Sequence, residues 1–139
     1  MPSAVLRALA AMLLPSVIVP VLAQAPHHGL AKPHEVLSQV VDQMPRGERQ
    51  RVRVLTASFQ PGDRTVLHTH RSPVTVYVLE GEFTLELDGR PPVVVGPGQA
   101  YVEPPHVKMV GYNRKAAEPL KVLIFYVSEP DAPFLDPSH

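Results

Sequence analysis

Cysteine is absent from all 139 residues, and so is tryptophan. The first absence excludes a disulfide framework, a thiolate metal site, a cysteine nucleophile and a lipid-anchored N-terminal cysteine. A charge excess of either sign is also lacking, because thirteen basic and thirteen acidic side chains cancel with His neutral. That balance leaves no electrostatic footprint for nucleic acid. The one basic run, Arg46 to Arg53, is interrupted by Glu48 and Val52 and reads as the solvent face of a strand. Long stretches of strong helix formers are scarce. Seventeen prolines and eight glycines break the chain often, as turns do in all-β proteins, so a helical bundle fits poorly. There is no Gly-x-Ser-x-Gly elbow and no glycine-rich phosphate loop, which argues against a serine hydrolase or a nucleotide enzyme.

What the chain does have begins with a secretory signal. Arg7 supplies a positive start, Ala8 to Leu22 is apolar apart from Pro15, Ser16 and Pro20, and small residues follow at Ala23 and Ala25. About 15 apolar residues broken by two prolines fall short of the ~20 that a spanning helix needs, so no stable membrane anchor is expected after cleavage. Cleavage after Ala23 leaves Gln24 first, whereas cleavage after Ala25 sets Pro26 against the scissile bond. Losing Arg7 leaves twelve basic against thirteen acidic side chains, so the mature chain is almost neutral. Export without disulfides fits a periplasmic or secreted protein.

The expected organisation is a signal over 1–23, a leader and first strand over 24–50, a barrel over 51–128 and an extended tail over 129–139. Gln24 to Pro33 is polar and rich in Pro, Gly and His, and Val36 to Val41 reads as a strand or a short helix. From Arg51 the pattern has period two or short apolar runs bounded by turn residues. Val74 to Leu79 reads as a strand buried on both faces. Phe83, Leu85 and Leu87 alternate with polar residues, and Asp88-Gly89 signals a hairpin. Eight or nine short antiparallel strands in about 100 residues specify a sandwich or small barrel.

Chemistry concentrates at His68-Thr69-His70. On a strand, side chains two apart point the same way, so both imidazoles can reach one metal ion. Gly62 stands six residues before His68 and Gly81 eleven after His70. With this spacing the segment resembles the first motif of the cupin superfamily, Gly-x5-His-x-His-x3-Glu-x6-Gly. The second motif, Gly-x5-Pro-x-Gly-x2-His-x3-Asn, falls on Gly98, Pro104, His106, Met109 and Asn113. The resemblance implies an all-β, cupin-type double-stranded β-helix or jelly-roll barrel, a homodimer, and a metal held by three His and one Glu.

Three slots depart from that pattern. Val74 occupies the Glu slot, His106 the Gly slot of Pro-x-Gly, and Met109 the third-His slot. Only His68 and His70 keep the register, so another residue must complete the site if metal is held tightly. His106, on the turn entering the next strand, is the first candidate. Glu103 would make a two-His, one-carboxylate set, and Met109 a thioether site suited to Cu(I). The alternative is a pair of hydrogen-bonded interior histidines without metal. Val74, Val76, Val78, Phe83, Leu85, Tyr101, Val110 and Tyr112 are available as lining for a small organic ligand. Two functions follow: a metal-dependent oxygenase-like or isomerase-like enzyme using Fe, Mn, Ni, Zn or Cu, and a non-catalytic module that binds a metal or small ligand.

Overall fold

A computed structural model of the chain describes residues 28–139. The signal over 1–23 and the start of the leader lie outside the described residues. Internal packing divides the chain into a unit of residues 1–32 and a unit of residues 33–139. Within the first, residues 28–32 are exposed and have no regular structure. The second is all-β, with nine strands in two antiparallel sheets.

The first sheet is built from β1 (Arg51–Phe59), β8 (Leu120–Ser128), β3 (Val74–Glu80) and β6 (Ala100–Glu103), in that order. The second runs β5 (Val93–Val95), β4 (Phe83–Leu87), β7 (Met109–Tyr112), β2 (His68–Thr69) and β9 (Asp136–Pro137). Strand β8 is the spine of the first sheet. Its buried Leu120, Val122, Ile124 and Tyr126 alternate with Lys121, Leu123, Phe125 and Val127 on the outer face. It pairs with β1 from Arg51↔Ser128 to Phe59↔Leu120 without a break.

Strand β3 corrects one expectation. Val74, Val76 and Val78 are buried, but Thr75 and Tyr77 are only half-buried and Leu79 is exposed, so one face packs rather than two. The outer positions Thr75, Tyr77 and Leu79 are more exposed than the inner ones, so β-branched residues there reflect strand preference more than burial. Val36 to Val41 is neither strand nor helix. Val36 and Val40 are exposed, and the apolar spacing Val36, Leu37, Val40, Val41 gives no face of period two to pair against a sheet.

Two glycines are needed where they stand. Gly81, between β3 and β4, has φ +79°, and a Cβ there would run into the carbonyl oxygen of Pro119. A Cβ on Gly111 in β7 would come within 2.6 Å of the Phe83 ring. The core between the sheets joins Phe59, Val76, Phe83, Leu85, Val122 and Ile124 to the functional region described next.

Candidate functional site

Strand β2 and the residue after it carry His68 and His70 into the space between the sheets, where the two are 5% and 1% exposed. Their rings meet edge to face, with the Nε2 atoms 3.2 Å apart. Each Nδ1 is committed elsewhere: His68 Nδ1 is 2.7 Å from the Val66 carbonyl and His70 Nδ1 is 2.7 Å from the Phe134 carbonyl. A carbonyl only accepts, so each imidazole donates its Nδ1–H, and in the neutral ring Nε2 is left with a free lone pair. Burial pushes the His68 imidazole below its ordinary value of 6.5; the Val66 carbonyl opposes this, His70 adds to it and Glu103 opposes it.

Glu103, at the end of β6, is 5% exposed and sets its Oε2 3.2 Å from His70 Nε2. Its position follows from strand pairing. Glu103 is the direct partner of Val74, which pairs in turn with Tyr126, which pairs with Arg53. These four form one rung across the first sheet, and directly opposed side chains share a face with Cβ atoms ~5 Å apart. Val74 fills the slot where the family motif has Glu, and its rung neighbour brings a carboxylate to the same region from the next strand.

The other candidates are distributed differently. His106 is exposed and lines a separate surface cleft with Arg71, Ser72 and Glu129, so it is not brought to the two imidazoles. Its φ of +60° is left-handed, a conformation that suits the glycine of the motif slot it occupies, and its side chain lies exposed there. What it does contribute is a backbone N–H to the His70 carbonyl at 2.8 Å. Met109 pairs directly with His68 and is 1% exposed, but it packs in the apolar core. Val74 and Val78 are core residues, while half-buried Tyr101 and Tyr112 line outer surface depressions.

A cavity of about 100 Å³ opens beside the two histidines and Glu103. Val76, Phe83 and Leu85 line it. Ala57, Thr65, Gly111, Val122 and Ile124 join them, together with Phe134 and Leu135 from the C-terminal segment. That segment was expected to be an extended tail. It runs extended but is held down: β9 pairs with β2, Ser138 N–H donates to the Leu67 carbonyl, and Phe134 packs on His70 and Tyr126. The available signal was Phe134-Leu135 itself, a large apolar pair that has little reason to stay in water.

Two imidazoles and a carboxylate in an otherwise apolar interior can share a cation or a proton. Among the described residues, no group of three or more His, Asp or Glu side chains is arranged to hold a metal ion as it stands. The donors touch one another instead.

Two facing antiparallel sheets around an inward histidine pair define a double-stranded β-helix protein. The chain belongs to the Cupin domain family, whose model matches residues 55–126, more than half its length. No curated protein matches it significantly. Among solved structures it is similar to DMSP lyase DddQ from Ruegeria pomeroyi, with TM-score 0.54, 18% identity and coverage of 63% of this chain and 43% of that one. A cupin-like protein from Thermotoga maritima gives TM-score 0.53 and 25% identity over 63% of this chain and 64% of that one. An RmlC-like cupin from Methanocaldococcus jannaschii gives 0.50 and 25% over 60% and 71%. The chain spans less than half of the lyase's length, and the likeness to it describes the fold alone.

Proposed function

We propose that this cupin binds a divalent transition metal through His68, His70 and Glu103 and presents it to a small ligand in the adjoining cavity. One observation carries the reading: the buried His70 Nε2 stands against two other acceptors, His68 Nε2 and Glu103 Oε2. With both Nδ1–H groups spent on carbonyls, the lone pairs of His68 Nε2 and His70 Nε2 face each other at 3.2 Å, and Glu103 Oε2 faces His70 Nε2 at 3.2 Å. A single proton bridges only one such pair, and buried acceptors left facing one another are costly. A metal ion answers all three. Donor atoms bonded to one ion at ~2.1 Å stand roughly 3.0–3.4 Å apart, which brackets both contacts.

Two imidazoles and a carboxylate are the donor set of non-haem iron oxygenases, with positions left for a small molecule. A metal bound there would supply Lewis-acid polarisation. The protein's share is to fix both imidazole tautomers through Val66 and Phe134, to hold the carboxylate from β6, and to keep water out with an apolar wall. Oxygenase-like or isomerase-like chemistry on a small molecule is the activity this arrangement supports best. Non-catalytic binding is the second reading, favoured by the cavity's size: about 100 Å³ is smaller than the ~150 Å³ that admits benzene.

Export is part of the proposal, supported by Arg7, the apolar run to Leu22 and the small residues at Ala23 and Ala25. N-terminal sequencing of the mature protein should begin at Gln24.

Cobalt(II) titration of protein purified without a His tag, read by visible absorption, tests the site. One equivalent should bind wild type and His106→Ala, and none should bind His68→Ala or His70→Ala. Glu103→Gln should weaken binding by at least about tenfold. Loss of binding in His106→Ala with retention in Glu103→Gln would overturn the assignment. A wild type that binds no metal leaves the paired, proton-bridged histidines as the reading.

A further inference from the structure

The walls of the cavity are not held equally. Ala57, Phe59, Val76, Val122 and Ile124 come from β1, β3 and β8, and β1 alone is laddered to β8 at nine positions. Phe134 and Leu135 come from a segment attached to the second sheet by two paired positions, His68↔Pro137 and Thr69↔Asp136. Its other ties divide between the interior, where Phe134 packs on His70 and Tyr126, and the surface. Asp136 accepts two hydrogen bonds from Arg71 at 2.8 Å, with the side chains 55% and 34% exposed, and Arg53 donates to the Ala132 carbonyl at 2.8 Å. The Arg71–Asp136 pair is bidentate, the strongest geometry for such a contact, yet it is exposed to solvent and is the segment's one ion pair among the described residues.

The closed arrangement also carries a local cost. Phe134 packs against Tyr126 at 5.7 Å between ring centroids, and the buried Tyr126 hydroxyl is, among the described residues, a buried side-chain polar atom without a hydrogen-bond partner. The same segment touches the polar centre directly, because the Phe134 carbonyl accepts the Nδ1–H of His70. Moving Phe134 therefore does two things at once: it opens the cavity and it removes the group that fixes the His70 tautomer.

We infer that Glu129–His139 is a releasable wall, latched by Arg71 and Asp136, which must lift for a small ligand to reach His68 and His70. Phe134 is then a positioning residue, acting on His70 through its backbone. The identity of the ligand rests on the metal-site reading above, but the wall itself is testable without metal.

The chain's lack of cysteine makes a clean test available. Thr69 and Asp136 are in-register partners across an antiparallel pair, about 4.5–5.5 Å apart and within disulfide reach. In Thr69→Cys/Asp136→Cys, the oxidised form ties the segment down and the reduced form lacks the latch. After chelator treatment, carbethoxylation of His68 and His70 by diethyl pyrocarbonate is followed by peptide mass mapping. The oxidised form should react at least about tenfold more slowly than the reduced form. Equal rates would overturn the inference. Should the double variant not fold or not form its disulfide, Arg71→Ala decides alone: modification about two- to fivefold faster than wild type is expected, and a wild-type rate overturns the wall. Cobalt uptake separates the two readings. Faster loading of Arg71→Ala than of wild type supports both, whereas no cobalt binding in either of these thiol-free chains, with His modification still controlled by the disulfide, refutes the metal and supports the wall.

Discussion

The two motif segments, one around β2 and one between β6 and β7, have diverged in different ways. Around β2 the chain keeps both the backbone and the chemistry: His68 and His70 are buried and face each other. Between β6 and β7 it keeps the backbone while the chemistry changes. His106 holds the left-handed conformation of a glycine at φ +60°, and Met109 remains in register with His68 but joins the apolar core. Glu103 then supplies a carboxylate on the rung of Val74. Backbone conformation and the placement of polar groups are separable properties of the barrel: the first is imposed by the turn and the ladder, the second by whichever inward position on a rung carries a polar side chain.

Moving the carboxylate back along its rung is the most severe change to the region. Glu103→Val should weaken cobalt binding by roughly a hundredfold, and adding Val74→Glu in the same chain should recover at least about tenfold of that loss, because opposed side chains lie ~5 Å apart. No recovery would mean that the two positions do not serve the same place. Next in size, Gly111→Ala drives a methyl group into Phe83 and should cost about 1–3 kcal/mol in chemical denaturation, with Phe83 displaced toward the cavity. An unchanged midpoint would show that the ring shifts freely.

His106→Gly sharpens the other side. It should relieve left-handed strain and stabilise by no more than about 1 kcal/mol, while cobalt affinity stays at the wild-type value. A loss of affinity would return His106 to the site. The smallest effect is in pH. His68 prefers the neutral form when folded, so the unfolded chain binds more protons below its ordinary 6.5. Metal-free protein should therefore lose stability as the pH falls through that value toward the depressed folded one, and His68→Asn should flatten this part of the melting profile. Asp136, held below its ordinary 3.8 by the hydrogen bond from Arg71, gives its stabilisation above that value and loses it only at still lower pH.

Much of this fold was legible because it rests on local rules. Alternating apolar residues, the Asp88-Gly89 turn and the spacing of Gly62, His68, His70 and Gly81 depend only on neighbours in the chain, and the strands after Arg51 follow them. The parts that were not legible depend on pairing. Glu103 acquires its place from the register with Val74, which no single strand reveals. His106 seemed close enough to be a ligand, but three residues along a tight left-handed turn are enough to send its side chain to the other side of the backbone. Phe134 and Leu135 looked like part of a loose tail because prolines surround them, and only docking onto β2 makes them a wall. Val36 to Val41 failed in the opposite sense: it has β-branched residues but no strand to pair with.

One further consequence lies in the order of the chain. Strand β1, the earliest strand of the first sheet, is paired along its whole length, among the described residues, only with β8, the last long strand. Strand β8 is also the link between β1 and β3. Closing a loop from Phe59 to Leu120 must precede any reward from that ladder, which is the circumstance that makes folding slow. The complete first sheet thus cannot assemble on a chain still missing its C-terminal fifth, and a polypeptide delivered from its N-terminus remains open, without β8 to pair β1, until synthesis is nearly complete.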